Sequence, residues 1–270
     1  MFKVLKGAGG ERAFNGAIIS VLALLVIFLV GIIGSMLTYT TWNAFVSALF
    51  SEEILFAIRL SITTATMATV ISMFIAIPVA YAISRKNFFG KGIVDTMLDL
   101  PIVLSPVALG AALLVFFNTP IGAGIDDNLM KFVFAVPGIV LAQFTVVSAL
   151  AIRLLKSTFD AIDPRYEQVS RTLGCSKPEA FFKVTLPLAK DGLIAACILT
   201  WARSIAEFGA TVTLAGATAM KTETLPIAIF LSLATADVEK AIAVIFVLII
   251  IATAALLAIR GITGWRRSHD

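Results

Sequence analysis

The sequence predicts an all-α membrane protein with six transmembrane helices. Three observations predict it. Of 270 residues, 59% are hydrophobic and only 14% are charged, with a mean hydropathy of +1.00. An ordinary soluble domain carries about 25% charged residues, so this chain has too little polar material to cover a soluble core. The apolar residues are gathered in runs of about 20, the length that crosses a bilayer as a helix. Lys and Arg are concentrated in alternate intervals between those runs, the bias that orients a multi-pass chain.

Residues 1–15 contain Lys3, Lys6 and Arg12, and residues 17–37 are then uncharged. That opening is like a secretion signal, but the run is too long and no A-x-A-like cleavage site follows, so it reads as a retained first span. Glu52 and Glu53 mark a first outer loop after Trp42, an interfacial aromatic. The second span is 61–83 with Pro78 inside it, and residues 54–60 form its outer end at the interface. Arg85, Lys86 and Lys91 make an inner loop.

The third span is 93–117. Asp95 and Asp99 fall in its first turns, where carboxylates favour the helix dipole. Pro101 and Pro106 break or bend it. A membrane tolerates irregular backbone only where protein or a cavity satisfies the freed polar groups, which predicts an interior position for this span. Residues 118–131, with Gly122, Gly124, Asp126 and Asp127, read as an outer loop. The fourth, fifth and sixth spans are 132–155, 192–214 and 241–260. Between the last two, the apolar stretch 225–233 behind Pro226 is too short to cross and reads as a short or re-entrant outer helix.

With both termini inside, 16 of the 21 Lys and Arg lie in inner segments, while Lys131, Lys221 and Lys240 lie outside and Arg59 and Arg203 fall within helices. This bias predicts cytoplasmic termini. Composition also narrows the chemistry. Cys175 and Cys197 lack CxxC spacing, so neither a disulfide framework nor a metal site is indicated. His269 is the only histidine, which excludes a His-based triad and a multi-histidine metal site. The phosphate-binding pattern G-x-x-x-x-G-K-[ST] is absent; Gly90-Lys91 lacks the earlier glycine and the following hydroxyl. No catalytic residues are assigned, and the chain is not read as an enzyme by itself.

The longest hydrophilic interval, 160–191, has the local signals of two short helices. Asp163 caps a helix whose first turn begins at Pro164, and Gly174 stops it in a left-handed conformation. Ser176 and Glu179 form an S-x-x-E capping box for a second helix, which Pro187 closes. Tyr166, Val169 and Leu173 line one face of the first; Phe181, Val184 and Leu188 line one face of the second. Helices of about ten residues are marginal in water alone. Two apolar faces between spans therefore ask for a docking partner.

Gly174, nine residues, then Val184-x-Leu186-Pro187 resembles the EAA signature G-x9-I-x-L-P of ABC importer permeases. Gln168-Val169-Ser170 stands where Glu-Ala-Ala would be, and Glu167 is one residue early. From about residue 54 to 260 the chain looks most like the permeases for molybdate and tungstate, with sulfate permeases close behind. The resemblance implies a type I importer permease fold, with 1–53 as tail, first span and outer loop, 54–260 as the permease domain and 261–270 as a cytoplasmic tail. It implies that Glu167, Gln168, Val169, Ser170, Gly174, Phe181, Val184, Leu186 and Pro187 belong to a cytoplasmic coupling loop. The partners it implies are two ATPase subunits, a second permease copy and an oxyanion-binding protein outside a prokaryotic plasma membrane, with no nucleic acid. ATP and Mg would be used by the ATPase, and no cofactor is expected in this chain.

Arg203 and Glu207 stand at i and i+4 on the fifth span and share a face. Charges inside a span usually face the interior of a bundle. They either line the translocation path or form an internal ion pair that fixes packing; both readings stay open. Gly209, Ala210, Thr211 and Gly216 permit close helix packing. Thr63, Thr64, Thr66 and Thr69 read as hydroxyls bonded to their own helix. A secondary transporter is the rival class, but it would bring inverted repeats and leave the docking loop unexplained. An intramembrane enzyme would need more convergent polar groups than Arg203 and Glu207.

Overall fold

A computed structural model describes residues 8–39 and 41–267 of the chain. Lys3, Lys6 and His269 lie outside the described residues, as do the side chains of Arg12, Trp42, Arg266 and Arg267. The described residues form helices and no strand: α1 Ala8–Met36, α2 Trp42–Leu49, α3 Glu52–Arg85, α4 Lys91–Val103, α5 Pro106–Phe117, α6 Pro120–Asn128, α7 Val136–Asp160, α8 Arg165–Thr172, α9 Lys177–Ala180, α10 Leu186–Leu188, α11 Lys190–Ile205, α12 Gly209–Ala215, α13 Leu225–Ala234 and α14 Val238–Arg267. A 3-10 turn, Leu37–Tyr39, follows α1, and a π turn, Phe181–Thr185, joins α9 to α10.

Among the described residues, four helices are long and apolar enough to cross a membrane: Phe14–Tyr39, Glu52–Arg85, Val136–Asp160 and Val238–Gly261. Two bent pairs add the rest, α4 with α5 at 109° and α11 with α12 at 55°, so six spans result if each pair counts as one. The second span is longer than its apolar run, because residues 54–60 continue the same helix from the Ser51 cap. Pro78 is carried inside it.

The third span differs most from the sequence reading. The chain turns at Leu104 and Ser105, both extended at ψ 143 and 142. Proline disfavours the helical conformation in the residue before it, which places the corner at Ser105 before Pro106. The Ser105 hydroxyl then accepts from the Ala108 N–H at 3.2 Å and starts α5 afresh. Pro101 lies within α4. The predicted interior position holds only for α5, which buries Leu109, Gly110 and Phe117; α4 buries no residue. Asp95 and Asp99 do more than favour a dipole, since both hold Arg153 of α7.

The bundle is built around α3 and α7. Ala57, Ser61, Ala65, Ala68, Ser72, Ala76 and Ala80 recur every three or four residues along α3, and all are fully buried. Small residues in such a stripe let helix backbones approach closely where lipid offers no hydrophobic drive. One core cluster joins Ala76, Ala80 and Ile83 to Ile152, Leu155 and Phe159 of α7 and to Ala196 of α11. A second joins Ile54 and Ala57 to Leu225, Ala228, Ala243 and Val244. The third, at α5, α7 and α12, contains Leu109, Ala142, Ala210 and Leu214. There, a Cβ on Gly110 would stand 2.7 Å from the Ala210 carbonyl, and one on Gly209 3.0 Å from the Val107 nitrogen. These glycines set the α5–α12 crossing at backbone contact.

Candidate functional site

The interval after α7 is shaped by its own short-range chemistry. The Asp163 carboxylate accepts from the Arg165 N–H at 2.9 Å. Gly174 has φ +97, a conformation that favours glycine. Around it Gly174 N–H donates to Arg171 O and Cys175 N–H to Ser170 O, each at 3.1 Å, the paired bonds of a Schellman stop. Ser176 and Glu179 make the reciprocal capping box that starts α9. The Ser176 backbone N–H, the Lys183 ammonium and the Ser176 hydroxyl hold the Glu179 carboxyl down at about 2.

The second helix does not end at Pro187. Its register widens first, the Leu186 N–H donating to Phe181 O across the π turn. Pro187, which has no N–H to give, then sits at the start of α10. Ala189 stays in the right-handed helical region, at φ −80 and ψ −6, before α11 begins. One nearly continuous path therefore links the loop to the fifth span.

The two apolar faces have different fates. Tyr166, Val169 and Leu173 are exposed, Leu173 to 81%. Phe181 turns inward instead, with its ring centroid 4.6 Å from that of Tyr81 and 6.4 Å from that of Phe159. This corrects its placement on a docking face; it anchors the loop to the bundle. Val184 and Leu186 are half-buried, while Gln168, Pro187 and Leu188 are exposed. Ser170 is buried and its hydroxyl donates to Glu167 O at 2.8 Å.

Glu167 is the centre of the loop's attachment. Its carboxylate accepts from the Tyr81 hydroxyl at 2.8 Å, Arg85 Nε at 3.1 Å and the Thr185 hydroxyl at 2.7 Å. Arg85 Nη2 also donates to Ile162 O at 2.7 Å. The Arg85 and Glu167 side chains are only 10% and 15% exposed. Burial pushes the Glu167 carboxyl up, but the bonds from Thr185, Tyr81 and Arg85 outweigh it and hold the group below its ordinary value. One carboxylate thus ties α8, the π turn and the end of α3 together. Sequence reading missed Tyr81, Arg85 and Thr185. The available signal was Tyr81 and Arg85 at i and i+4, one helix face, at the end of a span.

On the fifth span, Arg203 Nη1 meets Glu207 Oε2 at 2.8 Å. The pair sits at the break between α11 and α12, and the other carboxylate oxygen accepts from the Ala210 N–H at 3.0 Å. Glu207 is therefore also the residue that starts α12. The partners are unequal: Glu207 is 1% exposed and Arg203 39%. The structure brings these two together but leaves them apart from the 163–187 loop, which meets α3 and α7 at Tyr81, Arg85 and Phe159. Thr64 and Thr66 bond to Ser61 O and Ile62 O of their own helix, and Thr66 also accepts from the Trp201 indole at 3.0 Å.

Comparison with known proteins gives this architecture a family. Over 187 residues the chain is 37% identical to the molybdenum transport system permease protein ModB of Haemophilus influenzae, covering 68% of this chain and 82% of that one. It is 37% identical over 154 residues to the molybdate/tungstate transport system permease protein WtpB of Pyrococcus abyssi, covering 57% and 58%. Among solved structures it resembles a chain of a bacterial alginate ABC transporter crystallised with an alginate pentasaccharide-bound periplasmic protein. The TM-score there is 0.74 at 15% identity, over 98% of both chains, a likeness of fold. Residues 68–264 match the family described as binding-protein-dependent transport system inner membrane component, and the chain belongs to that family of ABC transporter permeases.

Proposed function

We propose that the chain is the transmembrane subunit of an importer for molybdate or tungstate. Two copies would enclose the path, two ATPase subunits would bind beneath them, and an oxyanion-binding protein would deliver cargo from outside. ATP and Mg would be consumed on the ATPase chains, because this sequence has no phosphate-binding loop of its own. Both termini would be cytoplasmic, and residues 54–260 would form the transporting unit between an N-terminal segment, 1–53, and a tail, 261–270. The molybdenum and molybdate/tungstate transport for which these relatives are named supports the choice of oxyanion.

Residues Glu167, Gln168, Val169, Ser170, Gly174, Phe181, Val184, Leu186 and Pro187 would form the coupling element, in two roles. Gln168 and Val169, with Tyr166 and Leu173 beside them, would present the docking surface. Glu167, Ser170, Phe181 and Leu186 would fasten that surface to the bundle. The observation that carries this reading is the two-sidedness of α8: its apolar face is exposed while Glu167 bolts its other side to α3. ATP-driven closure of the ATPases would move α8, and the Glu167 bonds and the continuous run from α9 to α11 would pass that movement to the spans. Arg203 and Glu207 would organise the path at the bend of the fifth span, with the half-exposed guanidinium towards the passing anion.

The test uses Leu173→Asp and Gly174→Val in the assembled transporter. The first puts a charge on the docking face. The second adds a Cβ in the left-handed region, at about 1–2 kcal/mol. Both variants should reach the membrane yet lose ATPase on purification or hydrolyse ATP without molybdate uptake into vesicles. Normal ATPase retention with normal coupled uptake in both would refute the coupling role. Uptake of sulfate in preference to molybdate by the wild type would refute the cargo.

A further inference from the structure

Beside the loop lies a cavity of about 860 Å³ between the end of α3 and the α8–α9 hairpin. Its lining has two halves. Phe74, Ile77, Pro78 and Phe182 make an apolar wall, whereas Lys86, Arg171 and Lys177 supply cations at the loop end. The apolar half is open: Phe74 is 82% exposed and Phe182 64%. It continues an exposed apolar stripe of Met67, Val70 and Ile71 farther up α3. The cationic half has charge to spare. Glu167 is the one carboxylate of the lining, and Arg85, Tyr81 and Thr185 already occupy it. Lys86, Arg171 and Lys177 are exposed and belong to no ion pair among the described residues.

We infer that this cavity binds an anionic phospholipid, its acyl chain along Phe74 and Pro78 and its phosphate among Lys86, Arg171 and Lys177. Both halves are required by that occupant and by few others. A soluble anion would have no use for an apolar wall that runs down a membrane span. A second copy of this chain would need a carboxylate-bearing apolar segment to match the three cations. A basic pocket at the end of membrane helices is a known form of lipid headgroup site, since surface potential and close contact add for each cation. The inference needs the membrane reading of α3 but neither the cargo nor the ATPase contact. It gives the loop a second ligand beside the one proposed above.

The experiment takes the complete transporter from vesicles of equimolar phosphatidylglycerol and phosphatidylcholine and counts retained lipids by native mass spectrometry. The wild type should retain phosphatidylglycerol preferentially. Replacing the three cations together, K86Q/R171Q/K177Q, should weaken that preference by about 100-fold, and Lys221→Gln, on the 216–224 loop, should leave it unchanged. Phe74→Cys carrying a photoactivated label should cross-link to lipid. Equal retention of the two lipids by the wild type would overturn the site. So would an unchanged preference in the triple variant, complete displacement of the retained lipid by inorganic phosphate, or a cross-link from position 74 to the partner copy. Each outcome is read from retained lipid or from the cross-link, so failure of the oxyanion reading, which is scored by uptake, remains a separate result.

Discussion

Arg203 and Glu207 share one ion pair unequally, and the inequality decides what each substitution does. Glu207 is buried and holds two partners, whereas Arg203 is partly exposed. Arg203→Met strands a buried carboxylate, which should cost about 3–5 kcal/mol. Glu207→Leu leaves a guanidinium that the described residues only partly enclose, and its main loss is the bond that starts α12, about 1 kcal/mol. Denaturant unfolding of the two purified variants should therefore separate them in that order; equal losses would mean that Arg203 is as enclosed as its partner. Glu167 gives a second case at the same scale. Glu167→Leu leaves Arg85 buried without its charge partner and should cost about 3–5 kcal/mol, while Tyr81→Phe removes a single bond to a charged group, about 1.5–3 kcal/mol. If Tyr81→Phe proves the costlier in the same assay, the hydroxyl, and not the ion pair, holds the loop.

At the scale of elements, α9 has only four residues and depends on its cap. The Glu179 carboxyl titrates at about 2 in the folded loop against an ordinary 4.5. A depressed carboxyl stabilises in its charged form. Its contribution is thus fully present above pH 4.5, fades as the pH falls and is gone below about 2. Glu179→Gln should lower hydrogen-exchange protection of the Ser176 amide at neutral pH and approach the wild type only below about pH 2; a pH-independent difference would show that the charge does not matter. These caps were legible in the sequence because they are local: Gly174, Ser176 and Glu179 act over three or four residues. The Glu167 attachment was not, since its partners Tyr81 and Thr185 lie 86 and 18 residues away. The inward turn of Phe181 was hidden for the same reason. The exposure of α4 could not be read from its prolines, because a break marks where a helix stops and not what covers it.

For the whole molecule, the positive-inside bias predicts an orientation that labelling can check. Lys177→Cys should react with an impermeant reagent only from the cytoplasmic side, and Asp127→Cys only from outside. Asp127 is the better outer probe because its side chain is 67% exposed. Its neighbour Asp126 accepts from the Phe132 and Val133 N–H groups, which hold its carboxyl below the ordinary range. The reverse labelling pattern would invert the topology. Six spans were legible from apolar length and charge, though two of them required a corner inside a single run. The 109° corner at Ser105 was foreshadowed by Pro106, whereas the break at residues 206–208 had only a carboxylate inside the span, Glu207, as a sign.

The unbroken α3 has the form of a lever arm. Its 34 residues make a rod of about 50 Å. It is pinned at both ends by charge, Arg85 to Glu167 at one and Glu53 to Lys240 of α14 at the other. With the rod rigid and gripped at Arg85, a tilt of about 6° would displace its far end by about 5 Å, close to one helical turn. A small shove on α8 would then arrive at the start of α14 as a movement large enough to slide one helix past the next. The stripe of alanines and serines along α3 is the smooth surface on which such a lever would swing.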